Sequence, residues 1–385
     1  MNSEFIKRII RARLTDRWRG RSPYYHDNIS SRGFRKAIIV FMACVIEKEQ
    51  FKKEIDMETA VLRAVFGGLV GSLIGPLRYE MEHSPELKDI IPKIKQKKSE
   101  ELVSYLSEPL QPVFRKFIVD GELDNSYEGK LVQAAGMFDN MLYCYREAED
   151  GCKTDWFRCK YEDNKDKVLK FIEEEGLASV QYMYDWFDQK KKDSFLFEFL
   201  GMNDEKRFAG KHNLKSDTVA EHLWQGAALG AFFSLHQNIV EENAPQINVL
   251  QVVLGFLFHD LPELRAGDAN GLIKHEEPEW EQAFHEYETR IAEEMISEFP
   301  PFFEEYLLRH MVFAKDESYE GRVIAAIDKI DGLLKILEEQ RVNPYEYGQE
   351  YIRERKVIQM KFKQPFVVYF LAFILHDLLD TGLNR

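Results

Sequence analysis

Apolar residues recur at helical spacings through most of the chain. The segments TAVLRAVFGGLVGSLI (59–74), VLQVVLGFLFHDL (249–261), EYETRIAEEMISEF (286–299) and RVIAAIDKIDGLLKILEEQ (322–340) each sustain that period across several turns. No segment combines sustained strict alternation with an Asn-Gly or Asp-Gly hairpin turn, so the pattern predicts an all-α protein. Two apolar runs, AIIVFMACVI (37–46) and FVVYFLAFIL (366–375), are each about half the length of a membrane span. They read as buried helix segments, the second covering an apolar surface.

Polar stretches divide this pattern. Residues around 150–167 are poor in apolar positions, and a second polar block, DQKKKD, covers 188–193. The expected organisation is a first helical domain over 1–150, a helical linker over 151–194, a second domain over 195–345 and a helical extension over 346–385.

A weak internal repeat connects the halves. At an offset of 192, Thr59–Pro76 aligns with Gln251–Asp268, which sets Gly67 and Gly68 over His259 and Asp260. The same offset sets Gly136 over Asp328, and Asp139 over Asp331. Upstream, an offset of 190 pairs Arg17 and Trp18 with Arg207 and Phe208, and Arg32 with His222. Three blocks in the same order point to duplication.

Composition narrows the function classes. At 385 residues, two domains are the better expectation. A net charge of −14 argues against non-specific nucleic-acid binding, because a phosphate backbone is repelled overall. A small anionic substrate in a local pocket stays compatible with that charge. The four cysteines, Cys44, Cys144, Cys152 and Cys159, form no C-x-x-C pair and read as reduced thiols of a cytoplasmic protein. The charged N-terminus has no apolar signal core, and no membrane partner is expected.

The chemistry concentrates in the second half. His222, the dipeptide His259-Asp260, and Asp328 lie in successive helical patterns. Imidazole nitrogen with carboxylate oxygen suits one borderline divalent ion, such as manganese, cobalt, zinc, iron or nickel. Four protein ligands on a six-coordinate ion leave positions for water and a substrate oxygen. A carboxylate amid apolar neighbours, as at Asp328, calls for a compensating cation. Glu263 follows His259 by four residues, within reach of general acid or base work, although Pro262 marks a helix end between them.

These residues resemble the HD-domain metal-dependent phosphohydrolases, and more closely the YfbR-like 5′-deoxyribonucleotidases. The resemblance runs over about 195–345. It rests on Arg207-Phe208, T-V-A-E-H ending at His222, F-H-D-L-P-E-L-R-A-G-D (258–268), A-A-I-D (325–328) and L-E-E (337–339). It implies tandem HD-like helical domains and a single metal held by His222, His259, Asp260 and Asp328. It implies Glu263 as the catalytic acid or base, and Asp268 near the sugar and phosphate. Arg207 becomes a phosphate clamp and Lys274 a further substrate-binding candidate. Phe208 stands where the family has Trp.

The first half looks like a degenerate copy, with Arg32, Gly67, Gly68 and Gly136 at the ligand positions. Gly71 stands at the Glu263 position and Pro76 at the Asp268 position. That leaves a structural or pairing domain, or one in which Arg32 sets a guanidinium near the vacated ion position. Duplication implies an intrachain pseudo-dimer or a homo-oligomer. The expected reaction converts 5′-(deoxy)nucleoside monophosphates to nucleoside and phosphate. Triphosphate release from nucleoside triphosphates, and a non-catalytic nucleotide sensor or scaffold that keeps the metal, stand as alternatives.

Overall fold

The computed structural model describes residues 2–121, 124–208, 211–267 and 277–381. It divides into two compact units. The first comprises Met1–Asn203 together with Ala372–Arg385, and the second Asp204–Leu371. The chain is all-α, as the periodicity predicts, and its units are tandem helical domains.

In the first unit, α1 (Asn2–Arg11) buries Phe5, Ile6, Ile9 and Ile10 along one face. Helix α2 (Ile29–Glu49) contains the run AIIVFMACVI, and every residue of that run is buried. Its start is fixed by a capping box, with the Asn28 side chain accepting from the Ser31 amide and the Ser31 hydroxyl accepting from the Asn28 amide. Helix α2 packs against α3 (Met57–Phe66) and against α5 (Tyr127–Glu149), while α4 (Ile90–Ser104) lies between these in sequence. The segment expected to link the halves is helical and packs into this unit. Helix α6 (Asp155–Glu175) buries Phe157, Val168 and Ile172 along α5, and α7 (Ala178–Lys190) buries Val180, Met183 and Phe187.

The second unit is built on α8 (Val219–Val240), α9 (Val249–Phe258) and α11 (Tyr319–Gln340), with α10 (Pro278–Ser297) preceding α11 in sequence and α12 (Pro344–Lys361) packed along it. Thr218 and Glu221 form the capping box of α8, and Asn248 and Ser318 cap α9 and α11. Close approach depends on two glycines. A Cβ at Gly226 would collide with the Phe256 ring, and one at Gly255 with Ile324. The absent side chains let α8, α9 and α11 converge where the candidate ligands sit.

Before α8 runs a two-residue ladder, β1 (Lys206–Arg207) with β2 (Asp217–Thr218), antiparallel, Arg207 opposite Asp217. The alternation pattern gives no sign of it, because two residues are too few to carry a period. Among the described residues, the first unit has a single bridge, Asp16 to Asn28, at the repeat-equivalent place.

The residues expected as a C-terminal extension divide between the units. Helix α12 and the residues to Leu371 lie in the second. Phe366, Val367 and Phe370 are buried there, and Phe233 lies 5.5 Å from Phe366 between ring centroids. Helix α13 (Leu375–Thr381) completes the first unit, where the Ser3 hydroxyl donates to the Asp377 carboxylate at 2.8 Å.

Candidate metal centre

Three helices of the second unit bring His222, His259, Asp260 and Asp328 together. His222 lies in the first turn of α8 and is almost fully buried. His259 is the cap residue at the C-terminus of α9, and Asp260 follows it in the turn. Asp328 lies in the middle of α11. One ligand atom each from His222, His259 and Asp260 fall within 4.8 Å of one another. His222 Nε2 is 3.5 Å from Asp260 Oδ2 and 3.4 Å from Asp328 Oδ1, and His259 Nε2 is 3.0 Å from Asp260 Oδ1.

Both rings are fixed from behind. His222 Nδ1 lies 2.6 Å from Asp331 Oδ2, and His259 Nδ1 lies 3.1 Å from the Phe256 carbonyl and 3.2 Å from that of Gly255. Such acceptors keep the proton on Nδ1 and turn the Nε2 lone pair inward. The Nε2 atoms of both histidines are buried and have no hydrogen-bond partner among the described residues. Two inward lone pairs beside two carboxylates fit a divalent cation, which is the group the family resemblance calls for.

The electrostatics point the same way. Burial raises the carboxyl pKa of Asp260, but His259, His222 and Lys315 together hold it well below the usual carboxylate range. Asp328 is likewise held low against burial, chiefly by Lys315 and then by the two histidines. Burial and Arg207 push the His222 pKa down, yet Asp331 and Asp260 outweigh them and raise it to about 9. The carboxylates are thus balanced in part by Lys315 and by the proton that a pKa of about 9 keeps on the His222 ring, a proton that a bound divalent ion would displace.

Sequence reasoning missed Lys315. Its ammonium lies 2.7 Å from Asp328 Oδ2, so Asp328 meets His222 with one oxygen and Lys315 with the other. Burial lowers the Lys315 pKa, but Asp328 and Asp260 raise it further than burial depresses it. No helical period or motif marks this residue, which lies in the bend before α11.

Arg207 is placed by β1 behind the ligands. Its Nη1 lies 3.2 Å from Asp331 Oδ2 and 3.5 Å from Asp217 Oδ2. Gln225 completes the group by donating to Asp331 Oδ1 at 2.7 Å. Asp331 is thus the hub between Arg207 and His222. Phe208 has φ of 53°, an uncommon conformation for a bulky residue, and the Arg207 guanidinium lies 5.4 Å from its ring centre. Trp18, its repeat partner, has φ of 58°.

Glu263 is not on the helix of His259. Helix α9 ends at Phe258, and Glu263 opens a separate short turn, Glu263–Ala266, behind Pro262. The four-residue spacing therefore does not set the two on one helical face, because the proline-bearing turn intervenes. Glu263 does raise the Lys315 pKa, which brings its charge within electrostatic reach of the centre. Asp268 and Lys274 lie outside the described residues.

Comparison with known proteins agrees with the duplication. The sequence profile described as 5′-deoxynucleotidase YfbR-like matches residues 4–190 and again 194–378. A 5′-deoxynucleotidase of Vibrio atlanticus is 23% identical over 182 residues, 47% of this chain and 92% of that protein. One of Vibrio cholerae is 26% identical over 153 residues, 39% of this chain and 77% of that protein. A solved HD-domain phosphohydrolase from Listeria innocua is similar at 26% identity and a TM-score of 0.43, covering 48% of this chain and 88% of its own.

Proposed function

Since the chain belongs to the YfbR-like 5′-deoxynucleotidase family and is a hydrolase, we propose that its second unit converts 5′-(deoxy)nucleoside monophosphates to nucleoside and phosphate. The observation that carries this reading is the pair of unpartnered imidazole Nε2 atoms facing Asp260 and Asp328. His222, His259, Asp260 and Asp328 would hold one divalent ion. When bound, that ion supplies Lewis acidity and a nucleophilic water near neutral pH.

The remaining work belongs to side chains. Phosphoryl transfer needs positioning and charge neutralisation more than covalent help. Arg207 spends one terminal nitrogen on Asp331 and Asp217, which orients the guanidinium and leaves other N–H groups for phosphoryl oxygens. Lys315 adds a second cation beside Asp328. Glu263 holds or delivers the proton that the leaving oxygen requires. Phe208 offers a ring for the base, while Asp268 and Lys274 are the proposed sugar and phosphate contacts.

Metal analysis of the purified chain, combined with a nucleotide hydrolysis panel, tests the reading. The expected result is about one first-row divalent ion per chain and direct release of orthophosphate from deoxynucleoside monophosphates. Release of triphosphate from triphosphates alone would replace the substrate assignment. A His259→Ala variant should keep its helical circular dichroism and lose both metal and hydrolysis. Nucleotide binding without product, by metal-loaded protein, would instead make the second unit a sensor.

A further inference from the structure

The two units carry one scaffold with opposite charge at its centre. Helix caps, the bridge before α2 or α8, and the unusual backbone at Trp18 and Phe208 recur in both. The carboxylate hub recurs too. Asp139 and Asp27 stand where Asp331 and Asp217 stand, and Arg17 bonds Asp27 at 2.7 Å and lies 3.6 Å from Asp139. What changes is the group that faces the middle.

Arg35 stands at the Gln225 position, fully buried, 2.5 Å from Asp139 and 3.0 Å from Asp27. Arg32 stands at the His222 position. A Cβ added to Gly136, which replaces Asp328, would meet Arg32 Nη2 at 3.2 Å and Lys36 Cε at 3.8 Å. The Arg32 guanidinium thus lies over the place of the lost metal ligand. Arg17, Arg32 and Arg35 set three guanidiniums against the two carboxylates of Asp27 and Asp139.

The cations are incompletely matched. Arg32 Nε lies 3.8 Å from Asp139 Oδ2, and both it and Arg35 Nη1 are buried with no hydrogen-bond partner among the described residues. Burial draws the Arg17 pKa below its ordinary value, and Arg32 and Arg35 add to that against Asp27 and Asp139. The Arg32 side chain is 30% exposed, so the cluster is open to solvent on that side. Ile29 fills the space beside Gly71, where the second unit has Glu263.

We propose that the first unit binds a phosphoryl oxyanion, without metal and without turnover, through the Arg32 guanidinium over Gly136. The ligand is a phosphate dianion, supplied either as orthophosphate or as the terminal group of a nucleoside monophosphate. Guanidinium suits it because its planar donors pair with two oxygens at once. Lacking ligands for an ion and a carboxylate at Gly71, the site holds such an anion and does not hydrolyse it.

The test uses the full chain after treatment with EDTA and with Arg207→Gln as the common background (wild type hereafter meaning wild type in the first unit), so that the second unit contributes neither metal nor its phosphate clamp. Inorganic phosphate and dAMP are titrated separately by calorimetry into the wild type and into Arg32→Gln, Arg32→Lys and Gly136→Asp. Wild type should bind one equivalent, and Arg32→Gln should weaken binding at least tenfold. Gly136→Asp should do the same by giving the guanidinium an internal carboxylate. Arg32→Lys keeps the charge but not the planar pair of donors and should bind between wild type and Arg32→Gln, while helical circular dichroism unchanged in every variant shows that the losses are not misfolding. Tighter binding of dAMP identifies the nucleotide as the source; equal or tighter binding of phosphate identifies the free ion. Absence of binding to EDTA-treated wild type, or equal affinity in wild type and Arg32→Gln, overturns the proposal.

Discussion

Asp331 Oδ2 lies 2.6 Å from His222 Nδ1 and 3.2 Å from Arg207 Nη1, so one carboxylate oxygen serves both the inner ligand and the arginine behind it. The three residues come from three elements, α8, β1 and α11, and the contact spans 109 positions of sequence between His222 and Asp331. An acceptor at this place decides which ring nitrogen keeps its proton. Asp331→Asn should therefore lower metal affinity about 10–100-fold while leaving all four inner ligands in place. Chelator competition measures this, and unchanged affinity would make Asp331 a packing residue only.

Lys315 and a divalent ion compete for Asp328. The ammonium, at 2.7 Å, already compensates one oxygen of that carboxylate. Lys315→Met should raise metal affinity several-fold and, with one cation fewer near the phosphoryl group, lower kcat/KM. Equilibrium dialysis and steady-state kinetics on the same preparation separate the two effects. A drop in both would place Lys315 in the support of the metal site itself.

Arg35 in the first unit is a stability residue before it is anything else. It is wholly enclosed and pairs with two carboxylates that are themselves enclosed. Removing one partner from such a group leaves charge buried without compensation, at a cost of about 3–5 kcal/mol. Arg35→Ala should shift the urea midpoint accordingly, far more than Arg32→Gln, whose side chain is partly solvated.

Acid should weaken the second unit through His236. Its ring is buried, stacks on Tyr369 at 4.0 Å, and burial depresses its pKa to about 4. In the unfolded chain the same ring titrates near its ordinary value of 6.5. Between those values the unfolded state binds more protons, so stability is full above about 6.5 and falls as pH drops toward 4. The shift corresponds to roughly 3 kcal/mol. His310, also held near 4 by burial, adds a contribution of the same sign. His236→Phe should flatten the pH dependence of the denaturant midpoint between pH 7 and 4. An unchanged slope would assign acid sensitivity elsewhere.

Much of this arrangement is readable from one dimension. The helices follow from apolar spacing, and His222, His259-Asp260 and Asp328 stand out because imidazole and carboxylate recur at the buried ends or faces of successive helices. The repeat alignment correctly pairs Asp139 with Asp331, which occupy matching hubs. Lys315, Asp217 and Gln225 stay hidden, because their role is a distance across the fold and no local pattern records it. The polar composition of 151–194 hides a packed pair of helices, since Phe157, Ile172 and Met183 suffice to anchor them. Glu263 illustrates a different limit: its spacing from His259 is helical, but the turn through Pro262 breaks the helix that the spacing presumes.

The seating of α13 against α1 bears on how the polypeptide is made. Ser3 finds Asp377 only after the 374 positions that separate them have been translated. The first unit is therefore completed only after the second has been made, and a nascent chain must carry it unfinished through translation of everything between.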